Sequence, residues 1–182
     1  MPFNVEKTPV AGLLVIEPKR FGDERGFFME TYKQSDFASI GIPEVFLQDN
    51  HSCSAKGVLR GIHFQRAPFA QGKLVRVLRG KVWDIAVDLR KNSPDFGKWF
   101  GIELSEENAK MFYIPAGFGH GFLSLEDDTH FVYKCTNEYN AACDGGIKYD
   151  DPDMAIDWKL GEITPVISQK DRNLPSLKEA IL

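Results

Sequence analysis

The segment from Val58 to Gln65, which reads VLRGIHFQ, places an arginine and a histidine in a stretch that is otherwise apolar. Histidine titrates near neutral pH, with an ordinary pKa of about 6.5, so it can exchange a proton under physiological conditions. Arginine carries a fixed charge on a planar fork that suits phosphate oxygens. Two interpretations are open. Either His63 and Arg60 face a cleft and act on an anionic ligand, or His63 is a hydrogen-bonded core residue and Arg60 reaches to solvent.

Three further side chains are of the types that would complete proton-transfer chemistry beside a histidine base. Lys73 would supply a cation, Tyr133 in HFVYKC an acid, and Asp171 in QKDRN an orienting carboxylate. A carboxylate bonded to the far nitrogen of an imidazole fixes its tautomer and stabilises its charged form. Each residue also has a structural explanation, because a strand histidine is often structural, a tyrosine often lies in a core and an aspartate often caps a turn.

The histidines do not form a recognisable metal-binding set in the sequence. A metal site in a small β-barrel typically needs several converging ligands, often with an H-x-H pair on one strand. The chain has four histidines, and His63 is followed by Phe64 and Gln65 rather than by a second histidine. The glycine-rich stretch IPAGFGHGF supplies one more, His120. We therefore predict a barrel without a metal ion and a protein without a cofactor.

Length and composition are those of one globular domain, which we predict to span residues 1–182. Apolar residues make up 43% of the chain and charged residues 26%, which is ordinary for a folded protein. No apolar run approaches the ~20 residues of a membrane helix, and we expect no signal peptide. The three cysteines form no CxxC pair, and their odd number argues against a disulfide framework. These features predict a cytoplasmic protein without a membrane partner.

Positive charge is concentrated in the middle of an otherwise acidic chain. The formal net charge is −4, yet the segment from Lys56 to Lys98 holds ten Lys or Arg against three Asp, a balance of +7 that leaves −11 for the remainder. A local basic centre suits a small anionic ligand better than a nucleic acid, which prefers a broad basic surface. The alternative is a chance cluster on solvated strand faces.

Short segments rich in Val, Ile and aromatic residues alternate with turn signals along the chain, which predicts many short strands. In residues 73–89, KLVRVLRGKVWDIAVDL, we predict a hairpin that turns at Arg79–Gly80. Alternate residues from Trp83 to Leu89 would form an apolar face opposite a face that carries two aspartates.

Helix signals are few and short. We predict a helical turn that Ser35 caps and that runs through Ile40 to a stop at Gly41, a second turn opened by Ser105, and a terminal helix with a capping box of Ser176 and Glu179. Many strands with little helix predict an all-β sandwich or barrel with a few short peripheral helices. The ligand of such a barrel usually lies in one mouth.

The spacing of Arg60 and His63 makes a specific structural demand. In a regular strand the two side chains would point to opposite faces, because side chains alternate with a period of two. If both line a cleft, the strand must be irregular between them. Gly61 is suited to a bulge or to the close approach of another backbone, so the cleft interpretation predicts an irregular strand at Gly61.

Several strings in a fixed order resemble the dTDP-4-dehydrorhamnose 3,5-epimerase family. They are VLRGIHFQ, QGKLVRVLRGKVWDIAVDLRKNSPDFGKW, LSEENAKMFYIPAGFGHGF, VYKCTNEY, DDPDMAIDW and ISQKDRNLP, preceded by DERGFFMET and QDNHS. Each string alone is weak, but their order and spacing make the resemblance specific, and it covers nearly the whole chain.

The resemblance implies a cupin-type double-stranded β-helix, or jelly roll, that works as a homodimer without a metal. It implies an isomerase that inverts both carbons flanking the ketone of dTDP-4-dehydro-6-deoxy-D-glucose and yields dTDP-4-dehydro-L-rhamnose. This is a step toward dTDP-L-rhamnose for cell-surface polysaccharide.

The resemblance also implies roles for individual residues. His63 matches the family's base, and Tyr133 matches the acid on the opposite face of the sugar ring. Asp171 matches the partner of His63, and Lys73 the cation near the ketone oxygen. Tyr139 matches an aromatic residue that stacks on thymine, and a segment around Arg25 is expected to be shared between subunits. The positions expected to contact the nucleotide or sugar are Arg25, Glu30, Gln48, Asn50, Arg60, His120 and Lys170.

Two positions depart from the family pattern. The family commonly has Glu where this chain has Asp144, and a side chain one methylene shorter would lengthen a ligand hydrogen bond or require a bridging water. The family also often has tryptophan at the position of Tyr149. Neither change falls on the acid–base pair, so we expect both to affect affinity rather than the reaction.

Two other functions are compatible with the same scaffold. One is a cupin that inverts a single carbon or moves the ketone of a related nucleotide-linked ketosugar. The other is a cupin that binds a nucleotide sugar without catalysis, which would lack the acid or the base. The joint presence of His63, Tyr133 and Asp171 favours epimerisation.

Overall fold

The alternating segments of the sequence form two β-sheets in the computed structural model, which describes residues 3–182. Numbered in chain order, the strands of the first sheet lie in the order β1 (Phe3–Lys7), β2 (Leu14–Pro18), β10 (Met111–Ile114), β7 (Lys73–Arg79), β12 (Thr129–Cys135) and β5 (Gln48–Ser54). Those of the second lie in the order β13 (Asp144–Gly146), β6 (Val58–Gln65), β11 (Phe118–Ser124), β8 (Lys81–Asp88) and β9 (Trp99–Ser105), and β14 (Val166–Ile167) also pairs with β6.

The remaining elements are small. Strands β3 (Arg20–Asp23) and β4 (Gly26–Met29) form a separate hairpin, and the helices are α1 (Gln34–Ser39) and α2 (Gln169–Arg172). Within residues 3–182, no helix is long and apolar enough to cross a membrane. Apart from the β14–β6 pair, the strand pairings are antiparallel. The predicted fold class, an all-β cupin jelly roll with short peripheral helices, is confirmed.

The inner faces of the two sheets pack against each other and form the central core. The first sheet contributes buried side chains that include Val75, Val77, Phe112 and Phe131, and the second contributes Val82, Ala86, Leu104 and Phe122. Side chains from facing sheets interdigitate in a layer about 10 Å thick. Burying each large apolar side chain stabilises the fold by roughly 1.5–3 kcal/mol. This core closes most of the barrel and leaves polar residues at one mouth.

The outer face of the second sheet is covered by the C-terminal part of the chain. The apolar face predicted between Trp83 and Leu89 lies here, packed against residues that include Ile147, Met154 and Trp158. The pattern prediction for β8 is therefore correct. This covering segment contains α2, which contacts β6 beside the mouth of the barrel, and it continues past α2 to Leu182.

The predicted hairpin of residues 73–89 is wrong. β7 pairs with β10 and β12 in the first sheet, whereas β8 pairs with β9 and β11 in the second. Gly80 adopts φ +78° and joins the two strands, but the connection leads from one sheet to the other. A glycine turn is favoured in either case, because it reflects local backbone conformation rather than the choice of strand partner.

The first helix prediction is correct in position but not in its cap. The helix α1 begins at Gln34 after Lys33, whose side chain makes no capping hydrogen bond, so Ser35 is not the N-cap. The turn predicted after Ser105 is present, and the Asn108 backbone N–H donates to Ser105 Oγ at 3.1 Å.

The predicted terminal helix is reduced to a turn. Ser176 Oγ donates to Glu179 Oε2 at 2.6 Å, and the Ser176 backbone N–H reaches the same oxygen at 3.1 Å. The capping contacts are therefore present, but residues 177–179 form only a turn. The helix that does form, α2, was not predicted because it is only four residues long and lacks a full period of apolar residues.

Candidate active site

Strand β6 is irregular at Gly61, as the cleft interpretation predicts. His63 pairs with His120, and Arg60 pairs with Phe122. Between these two pairs β6 advances by three residues and β11 by only two, so β6 contains one extra residue. Gly61 has φ +114°, and a Cβ added there would lie 2.5 Å from the Gly121 Cα. Only glycine fits so close an approach. The extra residue restores Arg60 and His63 to the same face of the strand.

Arg60 and His63 both line a cavity of about 210 Å³ between the sheets. Its walls are formed by Asn50, His51, Ser52, Arg60, His63, Lys73, His120, Gly121, Phe122 and Tyr133. His63 belongs to β6 of the second sheet, and Tyr133 belongs to β12 of the first. Because the sheets face each other, the imidazole and the phenol lie on opposite walls of one cavity.

His63 is oriented by Asp171 of α2. Its Nε2 lies 3.1 Å from Asp171 Oδ1, and the other carboxylate oxygen accepts the Gly61 backbone N–H at 3.2 Å. Burial acts to raise the pKa of Asp171, but the hydrogen bonds to His63 and Gly61 outweigh it and hold that pKa below its ordinary value. The carboxylate is thus ionised at neutral pH, where it can stabilise a protonated imidazole.

Lys73 brings an ammonium group to the cavity from the first residue of β7. The residue is only 9% exposed, and within residues 3–182 its ammonium has no hydrogen-bond or ion-pair partner. Burial lowers the pKa of Lys73, against the opposing influence of nearby groups such as Asp84 and Asp144. A buried cation without a partner is costly, so an anionic oxygen in the cavity would be strongly favoured.

Tyr133 points its ring toward the same region, and the Lys73 Nζ lies 5.9 Å from the ring centroid. Burial raises the pKa of the Tyr133 hydroxyl, an effect that Arg60 opposes only in part. The phenol therefore keeps its proton at neutral pH. A protonated phenol on one wall and an imidazole on the other are placed to donate and to accept protons from opposite sides.

His120 lines the cavity and is paired with Asp84, a residue that the sequence analysis noted only as one of two strand aspartates. The His120 Nε2 lies 3.0 Å from Asp84 Oδ2, and both residues are buried. Burial lowers the pKa of His120 even though Asp84 acts to raise it. An inward-facing carboxylate on an otherwise apolar strand was the signal that would have identified Asp84 in the sequence.

Two serines beside Arg60 were not found by sequence reasoning. The guanidinium Nε and Nη2 of Arg60 each donate to Ser54 Oγ at 3.3 Å, which holds the charge at the cavity. The Ser52 hydroxyl lines the cavity and is buried without a hydrogen-bond partner among the described residues. Small hydroxyl residues are common in strands and loops, so no pattern distinguishes these two.

Tyr139, Asp144 and Lys170 meet outside the cavity, and we call these three residues the rim cluster. The Lys170 Nζ donates to Asp144 Oδ2 at 2.6 Å, and the Tyr139 hydroxyl reaches the same oxygen at 3.4 Å. The hydrogen bond to Asp144 raises the pKa of Lys170. Tyr139 is 56% exposed, so its ring is available for stacking against a planar group.

Hydrogen bonds link the rim cluster to the cavity. Gln48 Oε1 accepts the Tyr139 backbone N–H at 2.7 Å, and Gln48 Nε2 donates to Asn50 Oδ1 at 3.0 Å. Buried Gln65, which sequence reasoning did not select, holds both neighbours of Tyr139. It donates to the Glu138 carbonyl at 3.2 Å and accepts the Asn140 N–H at 2.6 Å.

Arg25 and Glu30 do not reach the cavity of their own chain. Arg25 lies at the tip of the β3–β4 hairpin, where it pairs with Asp23, and its side chain is 85% exposed. Glu30 follows β4, and its Oε1 is buried without a hydrogen-bond partner in the part of the chain that the structure describes. Tyr149 lies in the C-terminal packing against the second sheet, away from the cavity.

The whole arrangement can remove a proton from one side of a bound ring, return one from the other, and stabilise negative charge between the two. Comparison with known proteins points to the same chemistry. The family model described as dTDP-4-dehydrorhamnose 3,5-epimerase matches residues 7–179 of the chain. The chain belongs to this family. The resemblance noted in the sequence is confirmed, and the chain is accordingly an isomerase.

Individual members of the epimerase family are similar over nearly their full length. The dTDP-4-dehydrorhamnose 3,5-epimerase of Methanothermobacter thermautotrophicus is 52% identical over 178 residues, covering 97% of this chain and 96% of that protein. The crystal structure of a dTDP-6-deoxy-D-glucose-3,5-epimerase from Legionella pneumophila in complex with dTDP-4-keto-L-rhamnose has a TM-score of 0.94 and 48% identity, with coverage of 97% and 94%. A dTDP-4-dehydrorhamnose 3-epimerase of Streptomyces niveus is 39% identical, covering 94% of this chain and 82% of that protein.

Proposed function

We propose that the chain converts dTDP-4-dehydro-6-deoxy-D-glucose into dTDP-4-dehydro-L-rhamnose by inverting the two carbons that flank the ketone. The observation that carries this proposal is the position of His63 and Tyr133 on opposite walls of one cavity, with the buried ammonium of Lys73 beside them. Inversion next to a ketone requires a base on one face of the ring, an acid on the other, and stabilisation of the enolate between them.

The steps follow from the chemistry of these groups. His63 takes the proton from a carbon beside the ketone, and the bonding electrons move onto the ketone oxygen to form an enolate. Asp171 stabilises the imidazolium, and Lys73 stabilises the enolate oxygen. Tyr133 then donates its proton to the carbon from the opposite face. Both groups return to their starting protonation states by exchange with water, and the sequence repeats at the second carbon.

The nucleotide would bind outside the cavity. A volume of about 210 Å³ is below the roughly 300–1,000 Å³ of pockets that enclose drug-sized ligands, so it suits the sugar ring alone. Arg60 would bind the diphosphate, and the exposed ring of Tyr139 would stack on thymine. The other side chains proposed to contact the nucleotide or sugar are Gln48, Asn50, His120, Asp144 and Lys170.

Inversion of a single carbon is the second candidate, because the Streptomyces niveus relative is named as a 3-epimerase. Product analysis in deuterated water separates the two reactions. We expect deuterium at both carbons flanking the ketone and a product with both centres inverted. One labelled, inverted carbon would assign the chain to the single-carbon enzymes, and no label at either carbon would favour a protein that binds the nucleotide sugar without catalysis.

The variant Tyr133→Phe tests the acid. We expect it to exchange substrate protons with solvent through His63 but to invert poorly, because the phenyl ring occupies the same space without a proton to donate. Inversion should fall by about 10²–10⁴-fold, the usual contribution of a positioned acid, while the rate of deuterium uptake falls far less. Equal loss of uptake and inversion would contradict the acid assignment.

We also propose that the enzyme is a homodimer in which the β3–β4 hairpin serves the neighbouring subunit. Phe21, Phe27 and Phe28 of this hairpin are 51%, 58% and 67% exposed. Exposed aromatic residues in a group mark an interaction surface. The outer face of the first sheet offers a groove of about 300 Å³ whose apolar lining includes Met111 and Val132. A second copy placed there would bring Arg25 and Glu30 to a cavity that they do not reach in their own chain.

Mixing two inactive variants tests this sharing. In a mixed dimer, one subunit carries Arg25→Ala and the other carries His63→Asn. The cavity of the Arg25→Ala subunit keeps its own His63 and receives an intact Arg25 from the other subunit, so it is complete. After random subunit exchange we expect recovery of about one quarter of wild-type activity, since about half of the dimers are mixed and each has one complete cavity.

Mixing His63→Asn with Tyr133→Phe is the matched control. It should give no recovery, because each subunit supplies both residues to its own cavity. Failure of the Arg25→Ala mixture to recover would show that Arg25 acts in its own chain or not at all.

The steps proposed above use no metal ion or cofactor, no nucleic acid and no membrane. We propose a cytoplasmic location, where a sugar nucleotide destined for cell-surface polysaccharide would be made.

A further inference from the structure

The outer face of the first sheet carries a second group of chemically reactive side chains, away from the cavity. The sequence has H-x-C on β5, as His51 and Cys53, and D-x-H across the start of β12, with Asp128 in the preceding turn and His130 on the strand. His51 and Cys53 are two apart on a strand and therefore point to the same face. Cys53 lies directly opposite His130 on the antiparallel neighbour β12, and the Asp128 carboxylate reaches the Cys53 sulfur from the turn, so these side chains meet on one surface.

The distances within this group are those of a small donor cluster. Ligand atoms of Cys53, Asp128 and His130 all lie within 4.8 Å of one another. The Cys53 Sγ lies 3.8 Å from Asp128 Oδ1. A tetrahedral Zn²⁺ ion with bonds of about 2.3 Å to sulfur and 2.0 Å to oxygen would hold these two atoms about 3.5 Å apart. For this pair of atoms, binding therefore requires a shift of only a few tenths of an ångström, and the His130 nitrogen already lies within 4.8 Å of both.

We propose that Cys53, Asp128 and His130 bind one divalent transition-metal ion, with Zn²⁺ as the best match. Thiolate, imidazole and carboxylate form a donor set that selects Zn²⁺ and its neighbours rather than Mg²⁺ or Ca²⁺. Three protein ligands leave the fourth position to water. In the single chain Cys53 and Asp128 are exposed and His130 is half-buried, so an ion can enter from solvent before a second copy covers the neighbouring groove.

Neighbouring residues hold two of the ligands in place. The His51 Nε2 lies 2.9 Å from the His130 Nδ1, which is the kind of second hydrogen bond that fixes the ring of a metal-binding histidine. The Arg79 Nη1 lies 3.3 Å from Asp128 Oδ2 and leaves Oδ1 facing the sulfur. Asp128 adopts φ +55°, a conformation that aspartate tolerates better than most residues. The turn thereby directs its carboxylate over the strand pair.

The site is separate from the proposed epimerisation chemistry. None of its three ligands lines the cavity between the sheets or the apolar groove, although their neighbour His51 lines both. The sequence predicted a protein without a metal ion, and a metal bound on the outer face would overturn that prediction. The proposed metal lies outside the cavity, so we assign it a structural role and not a part in the reaction.

A titration with Co²⁺ alone tests the proposal on the full-length reduced protein. Thiolate ligation gives a charge-transfer band in the near ultraviolet, and four-coordinate Co²⁺ gives intense bands in the visible. We expect both at one ion per chain, with Zn²⁺ displacing the colour. Cys53→Ser should abolish the charge-transfer band, while Cys143→Ser, which removes another thiol that is not fully buried, should retain it.

Affinity measurements with Zn²⁺ complete the test. We expect His130→Asn to weaken binding at least tenfold and His51→Phe by about 10–100-fold, as is usual for the partner of a ligating histidine. The proposal is overturned if the wild-type protein shows no thiolate band. Retention of the band by Cys53→Ser, its loss in Cys143→Ser, or wild-type Zn²⁺ affinity in His130→Asn would equally overturn it.

Discussion

Replacing His63 with asparagine is expected to abolish turnover while leaving affinity for dTDP largely unchanged. Asparagine has a similar size and can still hydrogen-bond to Asp171, but it cannot accept a proton at neutral pH. Removal of a positioned base typically costs about 10²–10⁴-fold in rate. Here the base acts at two carbons, so we expect the upper end of that range. Steady-state conversion of the dTDP-linked ketosugar measures the loss, and calorimetric titration with dTDP measures binding.

The binding measurement is the control for this variant. A fall in both turnover and dTDP affinity would mean that His63 supports the shape of the site rather than the chemistry. Turnover at the wild-type rate would show that His63 is not the base. Asp171→Asn provides a graded comparison, because it keeps the hydrogen-bonding geometry but removes the charge that stabilises the imidazolium. We expect it to be slower than wild type but faster than His63→Asn.

The second large effect is expected for Lys73→Met. Methionine fills the space of the buried lysine stem without an ammonium group, so the barrel should remain folded. The variant loses the charge that faces the developing enolate. Removing one such group from a preorganised site typically costs about 10²–10³-fold in kcat. We expect KM to change much less, since the charge on the ketone oxygen develops only during the reaction.

The pH dependence of the wild-type enzyme provides an independent test of Lys73. Burial lowers its pKa from 10.5, whereas burial raises that of Tyr133 from 10.0. On raising the pH, loss of the Lys73 proton should therefore lower kcat/KM on the alkaline side at a pH below 10.5. Lys73→Arg should move this fall to higher pH, because a guanidinium stays charged. A fall that persists unchanged in Lys73→Arg would exclude Lys73 as its source.

Much of the catalytic site was predictable because residue type and strand periodicity carry the necessary information. The conflict between the spacing of Arg60 and His63 and the period of a strand identified Gly61 as an irregular position, which the register of β6 and β11 confirms. The alternation in β8 likewise predicted which face packs against the C-terminal segment. These signals are local, and local signals survive folding when the packing agrees with them.

The features that the sequence did not reveal depend on contacts between distant segments. The glycine after Arg79 favours a turn whether the flanking strands pair with each other or belong to different sheets. The sequence signal could not separate these two cases, and the predicted hairpin was wrong because the strands belong to different sheets. The partnership of Asp84 with His120 could not be predicted, because both were visible as single residues but their pairing arises from strand order. The bond between Lys170 and Asp144 arises in the same way.

The bond between Asp171 and the Gly61 backbone joins positions 110 residues apart, and the same carboxylate orients His63. The jelly roll can therefore complete its strands before the histidine has its partner. During synthesis, the ribosome must release the C-terminal segment before the imidazole is fixed in its working tautomer. A release of α2 from β6 would take the orienting carboxylate away from His63 and slow the reaction without unfolding the barrel.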